Sequence, residues 1–224
     1  MIVDKNVKSL EESAYLALEE QICEGAIAPG EFLVETALSS KLGISRTPLR
    51  GAIHRLAEEG LVELIPNRGA KVVGVTEKDL IDIYMIRMQL EGLAASAAAE
   101  RISEEDRATL AEAVELSEFY LQKSNTDKIK EMDTVFHSTI YQATGIRHLK
   151  KILSDLHRST KAYRRLSLTV PTRLDLSVKE HRAMYEAIAS GNAAEAERLA
   201  VEHVKAALAN LLSITERDSI NTKE

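Results

Sequence analysis

The sequence predicts a mostly α-helical protein in two parts: three helices with a β-hairpin, then an all-α bundle of six helices. Three observations carry that expectation. Apolar residues recur at three- and four-residue spacing along most of the chain. The clear exceptions, Leu61–Ile65 and Ala70–Val75, flank the turn sequence Pro66-Asn67-Arg68-Gly69 and read as two strands of a hairpin. Beyond Val75 there is no further strand signal, only helix caps and stops.

The first helix is expected over Val7–Glu24, with Tyr15, Leu18 and Ile22 as its apolar stripe and Gly25 as its end. Cys23 near its end is the single cysteine, so no internal disulfide forms, which fits a reducing compartment. Ala28-Pro29-Gly30-Glu31 is a turn, and Val34–Leu42 a short helix. Gly43 suits the tight turn that follows, and Ser45 is an N-cap whose hydroxyl can accept from a free helix amide. Pro48 is tolerated in the first helical turn. Leu49, Ala52, Ile53 and Leu56 then form an inward face. Arg46, Arg50 and His54 lie four apart on a different stripe of the same cylinder.

From Lys41 to Arg55 there are four Lys or Arg and no acidic residue, in a chain of net charge −6. A basic helix face on an acidic protein suits an anionic partner, although a solvated helix can carry such a run with no ligand. The hairpin behind it favours the first reading. Helix, helix and hairpin form a winged helix-turn-helix, with the helix from Ser45 entering the major groove. The wing tip, Asn67 and Arg68, would reach the backbone or minor groove.

The second part is expected to begin at Val75/Thr76, where Thr76 caps a helix and Asp79 follows three residues on. Helices are expected over Asp79–Arg101, from the Ser103 cap to Gln122, over Asp127–Thr144 with Gly145 as stop, and over Arg147–Leu166. Pro171 is expected to break the chain. Leu174–Ser190 follows, ended by Gly191, and Asn192 caps a last helix to Glu216. Residues 1–75 and 76–217 would then be two domains and 218–224 a polar tail.

Four polar residues fall on the inward stripes of three of these helices. Asp133 and His137 sit one turn apart among Ile129, Met132, Phe136 and Ile140. His181 lies among Val178, Tyr185 and Ile188, and His203 on the line of Leu199, Ala200, Ala207 and Leu208. A carboxylate and three imidazoles in a core suit a first-row transition metal with positions left open. Spacing alone equally allows hydrogen-bonded core histidines and an Asp133 paired with an arginine. His54, His148 and His157 are expected at the surface or an edge. The inward stripes show no free Glu to act as a general base, and no His-Glu-x-x-His motif occurs.

Ser45-Arg46-Thr47-Pro48-Leu49-Arg50, with Gly60-Leu61-Val62 and Arg68-Gly69-Ala70, resembles the DNA-binding domain of GntR-type bacterial transcription regulators. Gly51 stands where that family usually has Glu, and Thr36 where some members carry an Arg. The resemblance implies a homodimer on a palindromic operator of double-stranded DNA. Arg46, Thr47 and Arg50 would make the helix contacts, and Arg68 with Gly69 the wing tip.

Downstream, Ile83-Tyr84-x-x-Arg87-x-x-Leu90-Glu91, Asp133-x-x-Phe136-His137, Glu180-His181-x-x-Met184, Ala189-Ser190-Gly191-Asn192 and His203 resemble the FCD ligand-binding domain of the FadR-type branch of that family. The resemblance implies a divalent ion, zinc or nickel, held by Asp133, His137, His181 and His203. The ion and arginines would grip a small organic-acid effector. Arg87 matches a family arginine, and Arg164 or Arg165 would supply the second. For Arg87 the alternative is an intrahelical pair with Glu91.

The function expected is a non-enzymatic transcription regulator, a repressor released from DNA by a small organic acid, although members of the family also activate. A metal-dependent enzyme fused to a DNA-binding module and a direct metal sensor are the competing readings. No apolar run approaches the roughly 20 residues of a membrane span. The N-terminus shows no signal-peptide pattern, so the cytoplasm is the expected location. Aromatic residues are 4% and Trp is absent, which disfavours a base-stacking surface for single strands.

Overall fold

The computed structural model describes residues 9–221 except 24, 67, 74–76, 161, 162, 165, 166 and 169; side chains at 23, 77 and 215–221 are also outside the description. The chain divides into two compact units, Met1–Asp79 and Leu80–Glu224. The Thr76 cap and the Val75/Thr76 boundary lie outside the described residues, as do Asn67 and Arg165.

The first unit contains α1 (Leu10–Cys23), β1 (Phe32–Leu33), α2 (Glu35–Leu42), α3 (Arg46–Glu58), β2 (Val62–Ile65) and β3 (Gly69–Val72). Tyr15, Leu18 and Ile22 of α1 meet Leu49, Ala52, Ile53 and Leu56 of α3 in one apolar core, closed by Leu61, Val62, Ala70 and Val72 of the hairpin. Gly43 ends α2 at φ +66°, a left-handed conformation that a side chain would strain, and its N–H donates to the Ser39 carbonyl. That turn aims α3 away from α2. Ser45 occupies the N-cap position with extended backbone but makes no side-chain cap bond, contrary to expectation.

The sheet has three antiparallel strands in the order β1-β3-β2. The hairpin pairs Val62 with Val72 and Ile65 with Gly69. Gly69 opens β3 rather than closing the turn, and β3 ends at Val72; of the expected Ala70–Val75, Gly74 and Val75 lie outside the described residues. No spacing signal announces β1, whose Phe32 and Leu33 pair with Lys71 and Ala70. Two residues are too few for an alternating pattern to show.

The second unit is helical among the described residues: α4 (Glu77–Arg101), which begins in the first unit's last residues, α5 (Glu104–Gln122), α6 (Thr126–Ala143), α7 (Arg147–Ser159), α8 (Pro171–Ala189) and α9 (Ala193–Asn221). Its core is rich in Ala at positions 94, 95, 98 and 99, which lets neighbouring helices approach closely around Phe136, Leu153, Met184 and Ile188. Ser103 caps α5 by accepting from the Asp106 amide. Pro171 does not break the chain but starts α8 at its first turn, where its missing N–H costs nothing. α7 ends at Ser159 instead of Leu166, and α9 runs to Asn221, into the expected tail. No helix among the described residues is long and apolar enough to cross a membrane.

Candidate functional site

The basic face of α3 is built as its spacing implies. Leu49, Ala52, Ile53 and Leu56 are buried, whereas Arg46, Thr47, Arg50 and His54 are exposed, as are Arg68 and Gly69 on the hairpin. An open groove runs between α3 and the wing, with Glu35, Arg50 and His54 on one side and Ile65, Pro66 and Gly69 on the other. Arg50 does not point freely. Its Nε donates to both Glu35 carboxylate oxygens at 3.0 and 2.8 Å. Glu35, at the start of α2, was not singled out from the sequence.

The second cluster lies inside the bundle. α6 supplies His137, α8 His181 and α9 His203, all buried, and one ligating atom from each lies within 4.8 Å of the others. The ring centroids are 5.2 Å apart for His137–His181, 5.3 Å for His137–His203 and 4.8 Å for His181–His203. Phe136 stacks on His181 at 4.1 Å and fixes that ring's plane.

Two carboxylates set the orientation of the other rings. His137 Nδ1 lies 3.2 Å from Glu91 Oε2, and His203 Nδ1 lies 2.6 Å from Glu180 Oε2. Each Nδ1 is assigned as the proton donor, which leaves each Nε2 with a lone pair. Asp133 Oδ1 faces these rings, 3.8 Å from His137 Nε2 and 3.9 Å from His181 Nε2. His181 Nε2 is buried with no hydrogen-bond partner. Asp133 Oδ1 and the bare Nε2 of His181 are acceptors facing one another, which fits a cation between them. The donor set, imidazole nitrogens and a carboxylate, fits zinc or nickel.

Protonation favours the same use. Burial, then the neighbouring imidazoles of His203 and His137, hold His181 well below the usual histidine range. Burial also lowers His203, although its bond to Glu180 opposes the shift. Neutral rings are the ligating form.

Arginines complete the cluster. Arg87 is 2% exposed, and its Nε donates to Glu91 Oε1 at 2.7 Å. Burial disfavours ionised Glu91, but Arg87 and His137 overcome it and hold the carboxyl well below its ordinary range. Arg164 Nη1 pairs with Asp133 Oδ2. Arg173 Nη1 donates to both Glu180 oxygens at 2.9 and 2.8 Å. Both structural alternatives raised by the sequence, Arg87 with Glu91 and Asp133 with an arginine, therefore occur, yet in both cases inside the cluster and not at the surface. Arg87, Arg164 and Arg173 all line one cavity with Asp133, His137 and His203, of about 300 Å³ including its mouth.

One expectation for the site needs correction. His157 is not at the surface: it is buried, with its Nδ1 3.3 Å from the Tyr141 hydroxyl and its ring 5.2 Å from His137. Its signal was legible, since Leu149, Leu153 and His157 are four apart and all buried. Glu91 and Glu180 stand beside ligand-type rings, but each is already engaged by an arginine, so neither is a free general base. Arg173 likewise shares the stripe of Ser177 and His181.

A winged reading head and a histidine-lined helical bundle define a class, and sequence comparison agrees. Residues 10–72 match the model of bacterial regulatory proteins of the gntR family, and residues 82–206 match the FCD domain. The chain belongs to the GntR family and carries an FCD domain. It is 28% identical over 208 residues to the HTH-type transcriptional regulator YdhC of Bacillus subtilis, covering 92% of this chain and 93% of that one. It is 24% identical to the transcriptional repressor RspR of Escherichia coli, covering 93% and 91%. The gluconate operon transcriptional repressor of Bacillus subtilis is 28% identical over 153 residues, covering 68% of this chain and 63% of that one. Among solved structures, E. coli McbR/YncC shares the fold with a TM-score of 0.77 at 23% identity, over 93% of this chain and all of that one. The protein is therefore a DNA-binding transcription regulator.

Proposed function

We propose that this regulator is a repressor whose operator affinity is set by a small organic acid bound at a divalent metal. Residues 1–75 would form the DNA-binding domain and 76–217 the effector domain. His137, His181 and His203 with Asp133 would hold zinc or nickel, and Arg87 and Arg164 would take the effector. The observation that carries this reading is the convergence of three buried rings, two of them oriented by carboxylates and one left with a bare Nε2, beside an arginine-lined cavity. The name of the gluconate operon repressor, one of the relatives, supports an organic acid as the signal.

A bound ion would supply Lewis acidity and a fixed positive charge for the effector's carboxylate. The chain's own residues do the rest. Glu91 and Glu180 keep the lone pairs of His137 and His203 turned inward. The bundle excludes water, so arginine–carboxylate contacts gain strength. Effector binding would bias the packing of the bundle helices and thereby operator affinity, by a coupling of about 1–3 kcal/mol. On DNA, a homodimer would place two α3 helices on a palindrome about 34 Å apart. Arg46, Thr47, Arg50 and His54 would contact the major groove, and Asn67, Arg68 and Gly69 the flanking backbone or minor groove. The cytoplasm would be its compartment.

The test begins with operator selected from a randomised duplex library. Operator is then titrated with zinc-loaded protein, with and without acids found by thermal shift. Release of DNA by an acid, but not by metal alone, supports the reading. A change in DNA affinity driven by metal alone would make the protein a metal sensor instead.

A further inference from the structure

Arg173 has no role in the reading above, which uses only Arg87 and Arg164. It lies in the first turn of α8, is 5% exposed, and lines the same cavity as those two. Each of the three guanidiniums is engaged by one carboxylate, Arg87 by Glu91, Arg164 by Asp133 and Arg173 by Glu180. Yet each keeps a buried nitrogen with no partner among the described residues: Arg87 Nη1, Arg164 Nε and Arg173 Nε. Buried donors are rarely left unmet in a working site, so three acceptors are wanted.

Charge narrows the choice. Among the described residues, these three guanidiniums and three carboxylates cancel. A divalent ion held by neutral imidazoles would add two positive charges in a site withdrawn from water. A single carboxylate would leave one charge uncompensated, which a buried site tolerates poorly. Two carboxylates cancel both and bring four oxygens to three bare N–H donors and the ion. The cavity that the three arginines line is narrow, about 300 Å³ even with its open mouth counted in, so it favours a short chain.

We propose that Arg173 completes a three-arginine cradle, and that the effector is a short-chain dicarboxylate. The inference rests on the metal-and-carboxylate reading, but fails separately from it. The experiment uses the full-length protein at saturating zinc and fixed ionic strength. Binding of malonate through adipate is measured by calorimetry against monocarboxylates of equal chain length. At least one dicarboxylate should bind about tenfold or more tightly than its monocarboxylate partner. In Arg173→Gln that preference should vanish, and Arg173→Lys should restore part of it. Equal affinity for the two classes in the wild-type protein overturns the proposal while leaving the metal-and-carboxylate reading standing. Full preference retained in both Arg173 variants overturns the role of Arg173. The wild-type comparison decides the ligand class even if Arg173→Gln does not fold. Binding of neither class to protein that holds zinc overturns this proposal and the carboxylate reading together.

Discussion

The protein uses arginine in two opposite ways. On α3 and the wing, Arg46, Arg50 and Arg68 are exposed, and the Arg50 side chain is 60% exposed even while it touches Glu35. In the bundle, Arg87, Arg164 and Arg173 are each at most 9% exposed and paired with a carboxylate. Exposed cations are screened by salt and cost little to hold, so they suit a long polyanion that is gripped and released. Buried cations must be neutralised in place, and the partner that neutralises them fixes where every other group can go. The first arrangement gives steering, the second selectivity.

The largest expected effect tests the buried half. With the proposed ion in place, its removal by a chelator should lower the stability of the protein by about 4 kcal/mol relative to protein in metal at 1,000 times its dissociation constant, read by denaturant unfolding. His181→Ala should abolish that difference, because its buried ring is one of the three that converge; an unchanged difference would remove His181 from the proposed metal set. Glu180→Gln should weaken metal binding by roughly 10–100-fold, since it loosens His203 without removing a ligand. Competition against a chromophoric chelator measures it.

The exposed half should respond differently. Arg50→Ala should cost about 1–3 kcal/mol on operator DNA, and operator affinity should fall steeply with salt while acid binding in the bundle barely changes. If both fall alike, the contrast between the two arginine sets is wrong. Glu35→Ala removes an exposed pair that contributes at most about 1 kcal/mol. It should raise affinity for random duplex and lower the preference for operator, and this change should disappear in an Arg50→Ala background. The smallest effect has the opposite sign. Gly51 lies inside α3, where the atoms nearest to an added Cβ are those of the Glu11 carboxylate. That side chain can swing aside, so Gly51→Ala should stabilise the first unit by up to about 1 kcal/mol in thermal unfolding.

Most of the fold was legible because helical spacing survives in single residues: Leu49, Ala52, Ile53 and Leu56 in α3, and Leu149 with Leu153 in α7, announce their buried faces directly. The histidines were legible for the same reason, as polar residues on apolar stripes. What could not be read was pairing across elements. Glu91 and Glu180 look like ordinary solvated helix residues, and Arg173 like a charged residue near a proline, until α4, α6, α8 and α9 are brought together. Charged residues bury only in neutral sets, and a set distributed over 100 residues leaves no local pattern. The hydroxyl of Ser45 failed as a cap, and Glu35 gained a partner on α3, through contacts equally invisible to spacing.

The shared carboxylates have a consequence for anyone who would retarget this protein as a biosensor. Glu91 answers to Arg87 with one oxygen and to His137 with the other, and Glu180 divides itself between Arg173 and His203. An arginine therefore cannot be exchanged for a neutral residue to admit a new analyte without also disturbing a ring of the proposed metal site. Useful variants will come as coupled double or triple changes, and libraries that randomise one position at a time will find mostly dead clones.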